Sequence, residues 1–391
     1  MKPPLSVVIG AGGTGGHIYP GLALADALRR RMPDTVISFV GTERGLETRL
    51  IPGAGYRLHT VDMIPFDRSL GAKRFTLPAA LLKSAGQCRA ILREQRAQVA
   101  VGMGGYPSAP VILGARLAGL PSLIHESNAV PGRANAFAAR LTPHVALAFE
   151  AGGAHLPAST RPELVGMPLS GPLASLDRDA QREDARRALG VPADTGLLLV
   201  NGGSLGAARL TEAALGLAER WRGRTDVRLL IKTGPAALDA ARVRLRVTGA
   251  DRIAEAVAYL DRIDQTYAAA DLVVCRAGSA TVAELATIGL PAVLVPYPHA
   301  PGDHQTHNAR TLTDIGAGVL LRDGDTTTAS LESLVGSLFS DPGRLRAMAQ
   351  AAATAGAGAH HREAADRLAL RVLQLVGHPL PTHSAPLSIA Q

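Results

Sequence analysis

LSVVIGAGGTGGHIYPGLALADAL, Leu5 to Leu28, reads as an apolar strand, a turn with five glycines in seven residues, and a helix that opens beside His17. An apolar run without polar alternation is the pattern of a strand covered on both faces, as parallel strands are. The pattern returns in the second half. GLLLVNGGSLGAARLTEAAL, Gly196 to Leu215, again runs apolar strand, Gly-Gly-Ser-x-Gly turn, helix. Around the first copy lie TVISFV, AQVAVGM, LPSLIHE and PHVALAF; after the second come VRLLIKTG, DLVVCRAG and LPAVLVPYP. Helix-period stretches separate these runs. The rhythm predicts an α/β protein of two doubly wound, Rossmann-like domains with a cleft between them. Residues 151–176 are rich in Pro, Gly, Ser and Ala and read as a connector. The expected division is 1–163, then 164–375 with its last helices crossing back to the first domain, then a loose tail, 376–391.

Composition narrows the classes. The chain has 391 residues, 47% apolar and 19% charged, enough for two buried cores and unlike a disordered protein. A net charge of +8 favours an anionic partner. Aromatic residues are only 3%, too few for stacking platforms, so nucleic acid is not the expected partner. The two cysteines, Cys88 and Cys275, suggest buried thiols in a reducing compartment. The N-terminus runs straight into the first strand without a secretory leader pattern, and no apolar run approaches the ~18 residues of a spanning helix. A cytoplasmic protein is expected.

Gly10-x-Gly12-x-x-Gly15 formally matches the dinucleotide fingerprint, but Glu43, the nearest candidate for the acidic residue at the end of the second strand, lies too far along to be its ribose partner. The broader chemistry is that of bare backbone at a helix N-terminus, which brings N–H groups close to an anion or a sugar. Gly202, Gly203, Ser204 and Gly206 repeat it, with the Ser204 hydroxyl as a further phosphate donor. Downstream, Arg276 to Thr281 opens a helix with Glu284 one turn in. Glu284 fits either a capping box with Thr281 or an acceptor for two ribose hydroxyls. His299, Asp303, His304 and His307 have a metal-like look, yet Gln305 and Asn308 among them suit hydrogen bonds to sugar hydroxyls better.

Six blocks in order, AGGTGGHIYPGLALA, VGMGGYPSAPVILGA, IHESNAVPGRANAFAA, NGGSLGAARL, VCRAGSATVAELATIGLPAVLVP and GDHQTHNA, closely resemble one family: the peptidoglycan N-acetylglucosaminyltransferases that convert lipid I to lipid II. The resemblance spans residues 5 to about 370. It implies a GT-B fold, with the acceptor on the N-terminal domain and UDP-GlcNAc mainly on the C-terminal one. It implies that Thr14, Gly15, Gly16 and Asn128 face the donor sugar and that Ser204 holds a phosphate. Leu260 stands where a backbone contact holds the uracil. Ser279, Ala280, Thr281, Val282, Ala283 and Glu284 would wrap the nucleotide, with Glu284 on the ribose, and Gln305 would bind the GlcNAc hydroxyls. Two positions depart from the family. Ser170 stands where an interdomain arginine contacts the donor, a contact that Arg276 could supply instead. Ser127 replaces a common glutamine.

The implied reaction inverts the anomeric carbon, so it needs a base for the acceptor hydroxyl and stabilisation of the leaving pyrophosphate. His17 is the expected base, with His125 and Glu126 as alternatives. No resident metal or cofactor is implied, a divalent cation being at most a stimulant. The lipid acceptor implies peripheral attachment at the cytoplasmic face of the membrane. The segment Met63 to Leu92, with Arg68, Lys73, Arg74, Lys83 and Arg89 among apolar residues, could lie on anionic phospholipid, Phe75 to Leu82 most directly. The alternative function on the same fold is a UDP-GlcNAc 2-epimerase.

Overall fold

The computed structural model describes residues 4–63, 77–203, 207–354 and 357–378. The chain divides into two compact units. Unit 1 holds the described residues of Met1–Ser127, Pro131–Ser170 and Glu363–Gln391; unit 2 holds Asn128–Val130 and those of Gly171–Arg362.

Unit 1 is built on β1 (Ser6–Gly10), β2 (Val36–Gly41), β3 (Arg57–Thr60), β4 (Val99–Gly102), β5 (Ser122–Glu126), β6 (His144–Leu147) and β7 (Arg161–Leu164). They form a seven-stranded sheet in the order β3-β2-β1-β4-β5-β6-β7, every pair parallel. Successive side chains point to opposite faces, and the cores show it. Val7, Ile9, Phe39, Val99 and Val101 pack with Ile18, Leu24 and Leu28 of the helix Gly15–Arg31 and with Leu368 and Val372 of the helix Ala364–Leu375. Val8, Val40 and Ala100 face the other way, against Cys88 and Leu92 of the helix Leu77–Glu94 and Val111 and Ala115 of the helix Ser108–Ala118.

Unit 2 repeats the plan. β8 (Gly196–Asn201), β9 (Val227–Lys232), β10 (Ala254–Val257), β11 (Leu272–Cys275), β12 (Ala292–Leu294) and β13 (Gly318–Leu320) form a parallel sheet in the order β10-β9-β8-β11-β12-β13. In both sheets the order reverses beside the strand that precedes a glycine turn: between β1 and β4, and between β8 and β11. Crevices beyond the carboxyl ends of strands at such points are where α/β sheets bind ligands.

The chain stays in unit 1 past residue 163. Gly166 N–H still donates to Leu147 O at 2.9 Å, extending the ladder of β6 and β7, and the division falls after Ser170. The helix Ala364–Leu375 packs within unit 1, where Arg31 Nε donates to Asp366 at 3.1 Å. Both cysteines are free and buried. No described helix is long and apolar enough to cross a membrane. The tail segment 379–391, Ser204, and Arg68, Lys73, Arg74 and Phe75 of the basic segment lie outside the described residues.

The first long helix of unit 2, Arg178–Ala188, is locked by a partly buried ion-pair cluster. Asp271 accepts from Arg182 at 2.5 Å, from Arg186 at 3.2 Å and from Leu197 N–H at 2.8 Å. Arg186, 5% exposed, also donates to the carbonyls of Ala269, Pro192 and Thr195. Removing Asp271 leaves the buried Arg186 guanidinium without its counter-charge, though with its carbonyl acceptors, and the cost approaches the ~3–5 kcal/mol of breaking a buried pair. Asp271→Ala is expected to lose stability on that scale in urea unfolding; a loss under about 1 kcal/mol would match a surface ion pair instead.

Candidate functional site

In unit 1, β1 and β4 both end in glycine, and Gly10 pairs with Gly102 in register. A Cβ on Gly10 would stand 3.0 Å from Val111 Cγ2, and one on Gly102 would fall on the Ser108 hydroxyl. The strands therefore meet the following helix through bare backbone. Thr14, extended at φ −131°, is the N-cap of the helix Gly15–Arg31. His17 N–H donates to Thr14 O at 3.1 Å, and Thr14 Oγ1 lies 3.3 Å from His17 Nδ1. The turn after β4 holds the other side of the ring. Gly104 and Gly105 have φ of +94° and +73°, and a Cβ on Gly104 would stand 2.6 Å from His17 Cδ2 and 2.9 Å from Nε2. His17 is thus half-buried, seated between two glycine turns at the point where the strand order reverses. Thr14 is exposed and Gly16 half-buried beside it.

The other two candidate bases turn inward. His125 is fully buried; its Nε2 donates to Gly166 O at 2.9 Å, and Ser127 Oγ lies 3.4 Å from its Nδ1. Burial pushes its pKa down to about 4, with the charge of His17 acting in the same direction, so it stays neutral near pH 7 and cannot hold a substrate proton there. Glu126, 1% exposed, accepts from Gly132 N–H at 3.2 Å and Asn135 Nδ2 at 3.0 Å. Glu126 braces the loop after β5, and His125 ties the end of β5 to the backbone just past β7. Ser127, the departure from the family pattern, is buried in the same network.

In unit 2, β8 and β11 end side by side at Asn201 and Cys275. The helix Ser279–Ile288 has Gly278 as its N-cap, with no side-chain cap bond. Thr281 and Glu284 are therefore both inside the helix, and the capping-box alternative for Glu284 falls. Its Oε2 accepts from Tyr267 OH at 3.0 Å, and the Asn201 side chain reaches the same hydroxyl. Lys232, at the end of β9, donates to Gly203 O at 3.0 Å and faces Glu284 electrostatically. Burial drives the Glu284 pKa up to about 7 against the opposing pull of the Tyr267 hydroxyl and the Lys232 charge. The same burial lowers the pKa of Lys232 and raises that of Tyr267. Ser279, Ala280 and Thr281 occupy the first helical positions, where backbone N–H groups lack intrahelical acceptors. Val282 and Ala283 are fully buried, so only their backbone is available to a ligand.

The segment Asn128–Val130 is fastened to unit 2 by Asn308, a fully buried amide. Its Oδ1 accepts from Ala129 N–H at 2.8 Å, and its Nδ2 donates to Asn128 Oδ1 at 3.2 Å. Gln305, half-buried on the same helix, accepts from Tyr297 N–H at 2.9 Å, which leaves its amide NH₂. His304 is engaged with Pro301 O at 2.8 Å. Leu260 lies half-buried between β10 and the helix Ile263–Ala269. Ser170 is exposed at the end of unit 1. Arg276 Nη1 lies 2.7 Å from Asp323 and donates to Val295 O and Pro296 O, each at 3.2 Å, so unit 2 already holds that guanidinium. In the basic segment, Lys83 is exposed and paired with Asp62 at 2.7 Å.

Glu47, Lys232 and Tyr267 escaped the sequence reading. None belongs to a motif, and each works through a contact distant in sequence; Tyr267 and Glu284, for example, are 17 residues apart.

The family models agree with this two-unit plan. The glycosyltransferase family 28 N-terminal domain matches residues 7–147, and the family 28 C-terminal domain matches residues 197–368. The chain belongs to glycosyltransferase family 28. A relative from Desulforudis audaxviator (strain MP104C) is 40% identical over 356 residues, covering 90% of this chain and 94% of its own. It is named UDP-N-acetylglucosamine–N-acetylmuramyl-(pentapeptide) pyrophosphoryl-undecaprenol N-acetylglucosamine transferase. The crystal structure of Acinetobacter baumannii MurG has a TM-score of 0.73 and 29% identity, covering 95% of this chain and 100% of that one. A UDP-N-acetylglucosamine 2-epimerase structure has a TM-score of 0.63 at 12% identity, covering 96% of this chain and 99% of that one, a likeness of fold alone. This family 28 member therefore has the GT-B fold and is a hexosyltransferase by descent.

Proposed function

We propose that this chain moves GlcNAc from UDP-GlcNAc to the 4-hydroxyl of the muramyl sugar of undecaprenyl-pyrophosphoryl MurNAc-pentapeptide, with inversion at the anomeric carbon. The observation that carries this reading is His17, seated between two glycine turns in a chain whose relatives are named for that transfer. The acceptor oxygen attacks C1 and its proton passes to the His17 imidazole. The bond from C1 to the β-phosphate oxygen breaks, and its electron pair leaves with UDP. His17 is the base of this account because His125 is neutral with its Nε2 on Gly166 and Glu126 is committed to Gly132 and Asn135.

Unit 2 holds the nucleotide. Glu284 accepts the ribose hydroxyls, and the N–H groups that begin the helix Ser279–Ile288 face the leaving charge. Thr14, Gly15, Gly16, Asn128 and Gln305 hydrogen-bond the GlcNAc, and Leu260 offers backbone to the uracil. Ser204 adds a phosphate contact.

The acceptor's lipid places the enzyme at the cytoplasmic face of the membrane as a peripheral protein, with Met63 to Leu92 against anionic phospholipid. Since Asp62 already pairs with Lys83, the attraction there rests on the other basic residues.

Incubation of UDP-GlcNAc with and without a short-chain analogue of the lipid acceptor tests the reaction. UDP release that depends on the acceptor is expected. Release or isomerisation of UDP-GlcNAc without acceptor, and no product with it, would favour the 2-epimerase reading instead.

A further inference from the structure

Glu47 is the first residue of the helix Glu47–Gly53 and is fully buried in unit 1. Its Oε1 accepts from Thr42 N–H at 3.1 Å and from Thr42 Oγ1 at 2.7 Å, while Oε2 accepts from Gly13 N–H at 3.1 Å. Both oxygens act as acceptors, the pattern of a carboxylate compensated by dipoles. Bare backbone surrounds it. A Cβ on Gly12 would stand 2.7 Å from Oε1, one on Gly41 would stand 2.8 Å from Glu47 Cγ, and one on Gly45 would overlap the carboxylate.

The held segment leads to the imidazole in two steps. The Gly12 carbonyl is packed so closely on Gly105 that a Cβ there would overlap it, and that same Cβ would stand 3.1 Å from His17 Nδ1. Gly104, next in the turn, lies against the opposite part of the ring. A carboxylate that fixes Gly12–Gly13 thus fixes one wall of the seat in which His17 sits. It also takes the Gly13 N–H away from any ligand, so the anion-binding capacity of this turn resides in the groups that follow it.

We propose that Glu47 is a positioning residue for the transfer, holding the first glycine turn so that the second turn keeps the His17 ring aimed at the acceptor hydroxyl; this rests on His17 being the base. Misplacement of a reacting group by about 1 Å can cost on the order of 10²-fold in rate. Glu47→Gln keeps the shape, but when its one carbonyl oxygen serves Thr42, its NH₂ faces the Gly13 N–H.

The test is a double-mutant cycle on acceptor-dependent UDP release, with UDP-GlcNAc and the short-chain acceptor analogue. Glu47→Gln is expected to lower kcat tenfold or more and to change the pH profile of kcat, while titration of UDP shows unchanged affinity. On a His17→Ala background the same substitution is expected to cost less than twofold. Equal losses on both backgrounds, or no loss in the single variant, would overturn the proposal. The His17→Ala variant by itself separates the two readings: activity near that of the wild type overturns the base assignment, whereas a deep loss with equal Glu47→Gln effects overturns only the role of Glu47. Should Glu47→Gln fail to fold, Thr42→Val removes a single donor to the same carboxylate. A smaller loss in kcat is then expected, again absent without His17, and its persistence on that background would count against the proposal.

Discussion

His17→Ala is expected to lower kcat for acceptor-dependent UDP release by about 10²–10⁴-fold, the usual contribution of a general base. UDP affinity should stay within about twofold, because the residues proposed to hold the nucleotide, Leu260, Ser279 to Thr281 and Glu284, belong to unit 2 and His17 to unit 1. The fold should also tolerate the change. His17 is half-buried, with its ring against the backbone of Gly104 and Gly105. A histidine that only capped the helix would behave differently, losing stability on the order of 1 kcal/mol and little rate. Stopped assays across pH separate the cases further: the acidic limb of kcat in the wild type should vanish from the residual activity of the variant.

The second large effect concerns Glu284. Its pKa stands near 7 because burial disfavours the charged carboxylate more strongly than the Tyr267 hydroxyl and the Lys232 ammonium favour it. Ribose hydroxyls donate to an acceptor, so binding selects the ionised form and must expel the proton when one is present. The sign follows. Affinity for UDP-GlcNAc is full above pH 7 and falls as pH drops through it, by about tenfold between pH 8 and pH 6. UDP-GlcNAc is the right probe because its diphosphate is a diester without a proton to lose in that range, unlike UDP itself. Glu284→Gln is expected to weaken binding 10–100-fold at pH 8, as a charged hydrogen bond of about 1.5–3 kcal/mol is lost, and to flatten the pH dependence. Calorimetric titration at the two pH values reads both effects. An affinity that does not change with pH in the wild type would remove Glu284 from the ribose.

Much of this was legible in the chain because doubly wound sheets write themselves plainly. Val7 to Ile9 and Leu197 to Val200 are apolar without alternation since helices cover both faces, and the glycine turns that follow them mark where the strand order reverses. The edge of the first sheet was not legible. β7 reads RPEL, exposed along most of its length, and joins β6 through backbone hydrogen bonds that leave no apolar signature. A boundary drawn at residue 163 cuts that strand for this reason. The return of the last helix to the first unit was expected from the division of the chain and not from its own pattern: Leu368 and Val372 mark an apolar face, but nothing local says which unit it covers. Within the site, the motif residues stood out by their spacing, whereas Glu47 acts across 34 residues and looks in sequence like any first-turn glutamate. Its importance appears only once the glycines around it leave room for nothing else.

The linkage formed is the most direct measure of the account, since a single displacement with His17 as base fixes both the oxygen that attacks and the face it attacks. Nuclear magnetic resonance of the product from UDP-GlcNAc and the short-chain acceptor should show a β-linked GlcNAc on O4 of the muramyl sugar. An α linkage, or GlcNAc on any other oxygen, would contradict it.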